Sequence, residues 1–150
     1  MNSIRTKAEG GMEVNFEITD AIQEQDQRRI YERLLEFNLE RLEDKSPKDL
    51  GVYARDAAGN IVAGLTGTTH GNWLMIKFLW VSESLRGRNI GSEILLQAEQ
   101  TAKERGCRFA FLDTFGFQAP LFYQKHGYQE AFVLEEYPLR GKRYYFTKNL

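Results

Sequence analysis

The sequence FLWVSESLRGRNIGSEILLQAEQTAKERG, residues 78–106, contains a strand, a turn and a helix in immediate succession. Four apolar residues begin it, and a polar turn with two glycines follows. Apolar residues at i, i+4 spacing then predict a one-sided helix from Ile90 to a glycine stop at Gly106. The first amides of a helix have no intrahelical acceptor and lie at the positive end of its dipole. With Arg86 and Arg88 in the turn, this unit is typical of a phosphate-binding site.

Two other phosphate-binding motifs do not fit this stretch. A P-loop needs Gly-Lys-Ser/Thr, which does not occur in the chain. A dinucleotide-binding fold needs three spaced glycines near its start, an acidic residue after the second strand and further alternating units. The chain has neither those glycines nor that length. A plain surface turn before a core helix is the alternative that these residues alone leave open.

The turn resembles the Arg/Gln-x-x-Gly-x-Gly/Ala signature of the GNAT superfamily of acetyl-CoA-dependent N-acyltransferases. Arg86 takes the first position and Gly91 the last, while Asn89 stands where the family usually has its first glycine. Asparagine adopts positive φ more readily than other residues with a side chain, so the turn is expected to keep its shape. The resemblance implies that the turn holds the pyrophosphate of coenzyme A, through Arg86, Gly87, Arg88, Asn89, Ile90, Gly91 and Ser92.

A second stretch strengthens the resemblance. Residues 119–128, APLFYQKHGY, are similar to the family's Ala-x-x-Leu-Tyr-x-Lys-x-Gly-Phe segment. The resemblance makes Tyr123 the general acid, because a hydroxyl beside the sulfur can stabilise the departing thiolate. A core tyrosine satisfied by a carbonyl is the alternative. Gly116 stands where many relatives have an asparagine that holds the pantetheine arm. Either backbone groups or a neighbour such as Gln118 serve instead, or that contact is missing.

The resemblance also assigns a role to the strand before the turn. Two parallel strands that part at this point leave backbone groups unpaired near Leu79, Trp80 and Val81. Such groups can bind the pantetheine amides as another strand would, and can polarise the acetyl carbonyl.

The residues that would bind the acceptor amine are harder to read. Asp113 ends the next strand and is the first candidate to bind an ammonium group and relay its proton, with a cap or salt-bridge role as the alternative. Aromatic rings beside this carboxylate would suit a small organic cation. Both histidines, His70 and His126, are interpreted as structural or solvent-facing. The predicted acceptor-binding residues are Trp73, Trp80, Asp113 and Phe115.

The composition describes an ordinary folded domain of 150 residues, with 42% hydrophobic and 27% charged residues. A net charge of −1 disfavours a nucleic-acid partner, and no apolar run approaches the ~20 residues of a membrane span. The single cysteine, Cys107, cannot pair within the chain and favours a reducing, cytoplasmic setting. No metal site is predicted. Residues 1–11 are interpreted as a flexible leader and residues 12–150 as one domain.

The order of elements resembles that of the GNAT fold, and this resemblance implies an α/β (α+β) architecture. It would have a mixed central sheet of six to seven strands with a splayed parallel pair, flanked by about four helices. The first strand is predicted at residues 14–19, and Asp20 with Gln23 resembles a capping box that opens a helix. That helix would bury Ile30, Leu34, Phe37 and Leu42. Three antiparallel strands, a βαβ crossover, a brief helix at residues 119–126 and a closing hairpin follow.

The predicted function is transfer of an acetyl group from acetyl-CoA to a primary amine by direct attack in a ternary complex. A non-catalytic acyl-CoA-binding or regulatory module is the main alternative, and an interaction domain that dimerises through its last two strands is a weaker one. The acceptor stays open among small molecules, peptides and protein lysines, and so does a homodimer.

Overall fold

A computed structural model describes residues 7–10 and 12–150 of the chain. The chain divides into two compact units, one that ends at Lys45 and one of Ser46–Leu150. Much of the predicted leader, residues 1–6 and 11, lies outside the described residues.

The first unit contains a short antiparallel hairpin and one helix. Strand β1 (Lys7–Glu9) pairs with β2 (Met12–Val14), and helix α1 spans Glu24–Leu39. The predicted strand at residues 14–19 is wrong beyond Val14, because apolar alternation forms a strand only where a neighbouring strand pairs with its backbone.

The start of α1 also differs from the prediction. Gln23 is the N-cap and makes no side-chain capping hydrogen bond, so the capping box from Asp20 is wrong. Instead the Thr19 hydroxyl accepts a hydrogen bond from the Ala21 amide at 3.0 Å. This local turn delays the helix, because short polar side chains compete with helical hydrogen bonding.

The predicted burial of the α1 stripe is wrong as well. Ile30 is 70% exposed, Leu34 and Phe37 are each 55% exposed, and Leu42 is 42% exposed. The 3.6-residue period determines that a helix forms and which residues share a face. Burial needs a partner surface, which the period does not supply.

The second unit is built on a six-stranded mixed sheet, as predicted, with the order β3-β4-β5-β6-β8-β7. Two α-helices and a 3₁₀ turn at Glu83–Leu85 accompany it. The strands are β3 (Lys48–Arg55), β4 (Ile61–His70), β5 (Trp73–Val81), β6 (Phe109–Phe115), β7 (Gln129–Leu134) and β8 (Arg143–Asn149). The helices are α2 (Ile90–Glu104) and α3 (Pro120–Lys125).

The splayed parallel pair is confirmed. Strands β5 and β6 pair in parallel from Trp73 opposite Phe109 to Met75 opposite Phe111, and their pairing ends there. Beyond this point β5 stays paired with β4, and β6 stays paired with β8. The later part of β5, from Ile76 to Val81, therefore has one open edge facing the gap.

A β-bulge lies where the two strands part. Thr66 of β4 faces Phe78, but the next residue, Gly67, faces Ile76, so Lys77 is an extra residue in β5. A Cβ on Gly67 would meet the Met75 carbonyl oxygen, which explains the glycine. Because bulges bend a strand, this one helps turn β5 away from β6.

The core of this unit lies between the sheet and α2. Its largest fully buried side chains are Leu65, Leu74, Leu95, Leu112 and Phe146. Alternate residues of β6 enter it, and α2 ends in a glycine with positive φ at Gly106, as predicted. The core thus fixes α2 at the open end of β5.

Candidate active site

The turn between β5 and α2 has the backbone conformation that the sequence predicts. Asn89 is left-handed at φ 60°, ψ 16°, and Gly87 has φ 79°. In the part of the chain that the structure describes, the amides of residues 87–92 donate no hydrogen bond. These donors are therefore available to an anion at the N-terminus of α2.

A cavity of about 920 Å³ opens at this turn. It runs from the end of β5 past the turn to α3, and every residue predicted to bind the cofactor lines it except Arg88. Its lining also includes Leu85, Phe117, Ala119, Phe122, Lys125 and His126. No acidic residue contributes to the described lining, so Arg86 and Lys125 make it electropositive.

Tyr123 lies at the inner wall of the cavity and is 7% exposed. Its ring contacts Phe122 and Tyr128 edge-on, with centroids 5.2 and 5.8 Å away. The hydroxyl bonds to no described residue, yet it is not sealed from solvent. Burial, with a smaller contribution from the charge of Asp113, raises the pKa of Tyr123 to about 12. At neutral pH this phenol is protonated and free to donate.

Gln118 is held at the end of β6 by two hydrogen bonds. Its Oε1 accepts from the Phe115 amide at 2.8 Å and from the Thr114 hydroxyl at 3.2 Å. Two donors on one atom identify that atom as the carbonyl oxygen. The side-chain NH₂ group is left without a described acceptor on the cavity wall.

Asp113 lies outside the described lining of the cavity and forms an ion pair with Arg143. The Nε and Nη2 atoms of Arg143 lie 2.9 and 2.8 Å from Asp113 Oδ1, and Nη1 donates to the Tyr137 hydroxyl at 3.1 Å. The guanidinium carbon lies 5.3–5.6 Å from the ring centres of Phe115, Tyr137 and Tyr145. The predicted cluster of carboxylate and rings thus surrounds a cation of the chain itself.

The other predicted acceptor residues are dispersed. Trp80 lines the cavity, and Phe115 stacks on Phe117, which also lines it, at 5.2 Å. Trp73 lies at the opposite, paired end of β5 and contacts Phe109. The structure brings Trp80 and Phe115 near the gap and leaves Trp73 away from it.

Two residues of this region were missed by the sequence reasoning. Arg143 gave no signal, because the register that sets β8 beside β6 is not visible in the sequence. His126 was interpreted as structural or solvent-facing. It lines the cavity, and its Nε2 lies 2.9 Å from Ser92 Oγ.

In the part of the chain that the structure describes, no group of three or more His, Cys, Asp and Glu residues could hold a metal ion. No helix in that part is long and apolar enough to cross a membrane.

Comparison with known proteins agrees with this geometry. Residues 15–128 match the model of the acetyltransferase (GNAT) family. An acetyltransferase of Agrobacterium fabrum is 31% identical over 115 residues, which are 77% of this chain and 84% of the relative. The blasticidin-S acetyltransferase of Streptomyces morookaense is 39% identical over 87 residues, 57% of this chain and 64% of the relative. The crystal structure of an acetyltransferase from Bacillus cereus has a TM-score of 0.76 and 35% identity, and the match covers 89% of this chain and 98% of that one.

The chain therefore belongs to the GNAT family of acetyltransferases. It is an acetyl-CoA-dependent acetyltransferase. The main alternative to the predicted function, a non-catalytic acyl-CoA-binding module, is therefore not supported.

Proposed function

We propose that the protein transfers the acetyl group of acetyl-CoA to a primary amine by direct attack of that amine within a ternary complex. The observation that carries this proposal is a single cavity. It joins the free amides of residues 87–92 to the hydroxyl of Tyr123, a mostly buried residue whose hydroxyl bonds to no described residue.

In this proposal the cofactor lies across the turn and into the gap. Its diphosphate accepts hydrogen bonds from the amides of residues 87–92, and Arg86 adds a positive charge. The pantetheine arm runs beside the open edge of Leu79–Val81, whose backbone groups bind its amides as a further strand would. The NH₂ group of Gln118 supplies one more donor.

Tyr123 then acts on the leaving group. The amine nitrogen forms a bond to the acetyl carbon, the C–S bond breaks, and the electron pair of that bond stays on the sulfur. The phenol donates a hydrogen bond or its proton to the thiolate. With a pKa of about 12 it keeps its proton throughout the neutral range, as this role requires.

Asp113 is proposed to anchor the ammonium form of the acceptor and to relay its proton. Arg143 donates its hydrogen bond to Oδ1 of this carboxylate, and no described group donates a hydrogen bond to Oδ2, which can accept from an incoming donor. The rings of Trp80 and Phe115 would contact the rest of the acceptor. The sequence prediction for Trp73 has no support from its position in β5.

A thiol-release assay with acetyl-CoA and a panel of amines tests the activity. The panel should contain small diamines, amino sugars, peptides and blasticidin S, because one relative is a blasticidin-S acetyltransferase. Acetylation of at least one primary amine is expected. Acetylation confined to hydroxyl acceptors would contradict the proposal.

The role of Tyr123 is tested by Tyr123→Phe. We expect turnover to fall by about 10²-fold or more, since general acid catalysis contributes about that much, while the Kd of CoA is unchanged. Tyr128→Phe is the matched control, because Tyr128 is buried beside Tyr123 but bonds to Glu99 at 3.5 Å. Unchanged turnover in Tyr123→Phe would contradict the assignment of Tyr123 as the general acid.

The cytoplasmic location and the homodimer stay predictions.

A further inference from the structure

Ser92 and His126 meet across the cavity beside the turn. Ser92 is the third residue of α2, and His126 directly follows the last residue of α3. Ser92 Oγ and His126 Nε2 are 2.9 Å apart, and both side chains are half-buried. The imidazole packs on the Phe122 ring at 4.8 Å, and its backbone amide donates to the Tyr123 carbonyl. The ring is thus held on one side by packing and on the other by a single polar contact.

The direction of this hydrogen bond decides what Ser92 offers to an anion. A hydroxyl has one proton and two lone pairs. If Nε2 lacks a proton, Ser92 donates to it and turns lone pairs toward the turn. If Nε2 carries a proton, it donates to Oγ, and the hydroxyl proton of Ser92 can point to a phosphate oxygen.

We propose that His126 is a positioning residue for the cofactor: its Nε2–H donates to Ser92 Oγ and directs the Ser92 hydroxyl proton to the diphosphate of coenzyme A. This rests on the proposed function, which locates the diphosphate at the amides of residues 87–92. Neither a packing role nor a surface role for His126 needs the contact with Ser92.

The charges around the imidazole make its protonated form compatible with the bound anion. Arg86 from the turn and Lys125 from α3 line the same cavity. The nearest carboxylate along α2 is Glu93, which is exposed and accepts a hydrogen bond from Gln97. No described carboxylate lines the cavity, so a bound diphosphate is the negative charge that an imidazolium would face. Binding is therefore expected to strengthen with falling pH, as the imidazole gains a proton.

The test is the Kd of dephospho-CoA, measured by calorimetry from pH 5.5 to 8.5. This ligand keeps the diphosphate and lacks the 3′-phosphate, which itself titrates near pH 6 and would obscure the result. We expect the affinity of the wild-type protein to rise by about tenfold from pH 8.5 to 5.5, the scale of one hydrogen bond to a charged group.

Three single variants and one double variant separate the contributions of the imidazole and the hydroxyl to cofactor affinity. His126→Gln keeps a permanent donor that does not titrate, so its affinity should be independent of pH and within about threefold of the tighter wild-type value. His126→Phe keeps the packing on Phe122 but loses the donor, and Ser92→Ala loses the hydroxyl. Each should bind about tenfold more weakly than the wild-type protein at pH 5.5, and His126→Phe should show no pH dependence. The double variant His126→Phe/Ser92→Ala should bind no more weakly than Ser92→Ala, because the two substitutions remove the same interaction.

Two control variants distinguish an error in the proposed cofactor site from an error in the role of His126. His70→Gln changes the chain's other histidine, the last residue of β4, and should match the wild-type protein at every pH. Gly91→Glu puts a carboxylate at the free amides and should abolish binding. If Gly91→Glu binds normally, the proposed cofactor site is wrong. If it does not bind, but the wild-type pH dependence persists in His126→Gln or Ser92→Ala binds as tightly as the wild-type protein at pH 5.5, only the role of His126 is wrong.

Discussion

The two faces of the six-stranded sheet differ in how completely they are enclosed. On the inner face, defined by Ala110, Leu112 and Thr114 of β6, these side chains are buried against the core. On the outer face, defined by Phe111, Asp113 and Phe115, the alternate residues of the same strand are only half-buried. Strand β6 therefore packs against the core with one face and is partly exposed to solvent on the other.

The bulge at Lys77 changes which residues of β5 face the core. Before the bulge, Leu74 and Ile76 face the core, and after it Leu79 and Val81 do so. One extra residue shifts the period-2 alternation by one position. Trp80 consequently points to the outer face, at the open end of the gap.

Each face also carries one ion pair. On the inner face the Glu99 carboxylate bonds to Lys148 Nζ at 2.6 Å, with the side chains 6% and 22% exposed. On the outer face Asp113 and Arg143 are 31% and 28% exposed. The inner face therefore fixes the position of Tyr123 and the turn, while the outer face can exchange contacts with solvent or an acceptor.

The largest expected effect comes from truncating a core side chain. Leu112→Ala should lower the free energy of unfolding by about 3–4 kcal/mol, because Leu112 is 1% exposed and its loss leaves a cavity. Met75→Ala, at a side chain 52% exposed on the outer face of β5, should cost less than about 1 kcal/mol. Urea unfolding measures both values. Equal losses would break the distinction between the faces.

The two ion pairs provide the next contrast. Glu99→Gln should cost about 3 kcal/mol, since it leaves the mostly enclosed Lys148 ammonium without its carboxylate. Asp113→Asn should cost about 1 kcal/mol, because water screens the outer pair. The same unfolding assay applies. A larger cost at Asp113 would mean that the outer pair holds the sheet together.

The alkaline stability of the protein should report the burial of Tyr123. Its pKa is raised from 10.0 to about 12, so the unfolded chain loses this proton first. Stability is therefore complete below about pH 10 and falls as pH rises toward 12. Between pH 9 and 11.5 the wild-type protein should lose about 2 kcal/mol more than Tyr123→Phe.

This difference between the two proteins isolates Tyr123. The pKa of Tyr128 is also raised, first by burial and then by Glu99, with a smaller contribution from Tyr123. Tyr128 is present in both proteins, so most of its contribution cancels. Equal alkaline losses would show that Tyr123 ionises normally in the folded protein. Its hydroxyl would then be more hydrated than its enclosure indicates.

The smallest expected effect concerns acceptor recognition on the outer face. Asp113→Asn should raise the KM of a cationic acceptor by about tenfold, or about 1.4 kcal/mol, and leave the Kd of CoA unchanged. Glu135→Gln is the matched control, because Glu135 pairs with Lys142 at the surface. A change in CoA affinity instead of acceptor KM would assign Asp113 to the cofactor half of the site.

Parts of the site that depend on local backbone conformation could be predicted from the sequence, and parts that depend on contacts between distant residues could not. The turn could be read from the sequence because backbone amides and positive φ depend on local chemistry, so an asparagine at position 89 still adopts φ 60°. Arg143 could not be read, since it reaches Asp113 only through the register of β8 against β6. The contact of His126 with Ser92 joins residues 34 positions apart, and no local pattern encodes it.

The sequence alone predicts the β5–turn–α2 unit, the order along the chain of the strands in the six-stranded sheet, and the segment that carries Tyr123. Each follows from hydrophobic period, glycine placement or helix-end chemistry within about ten to thirty neighbouring residues. Tertiary structure decided the break between β5 and β6, the raised pKa of Tyr123, the partner of Asp113 and the exposure of α1. Those properties depend on which surfaces meet after folding, and a one-dimensional pattern does not contain that information.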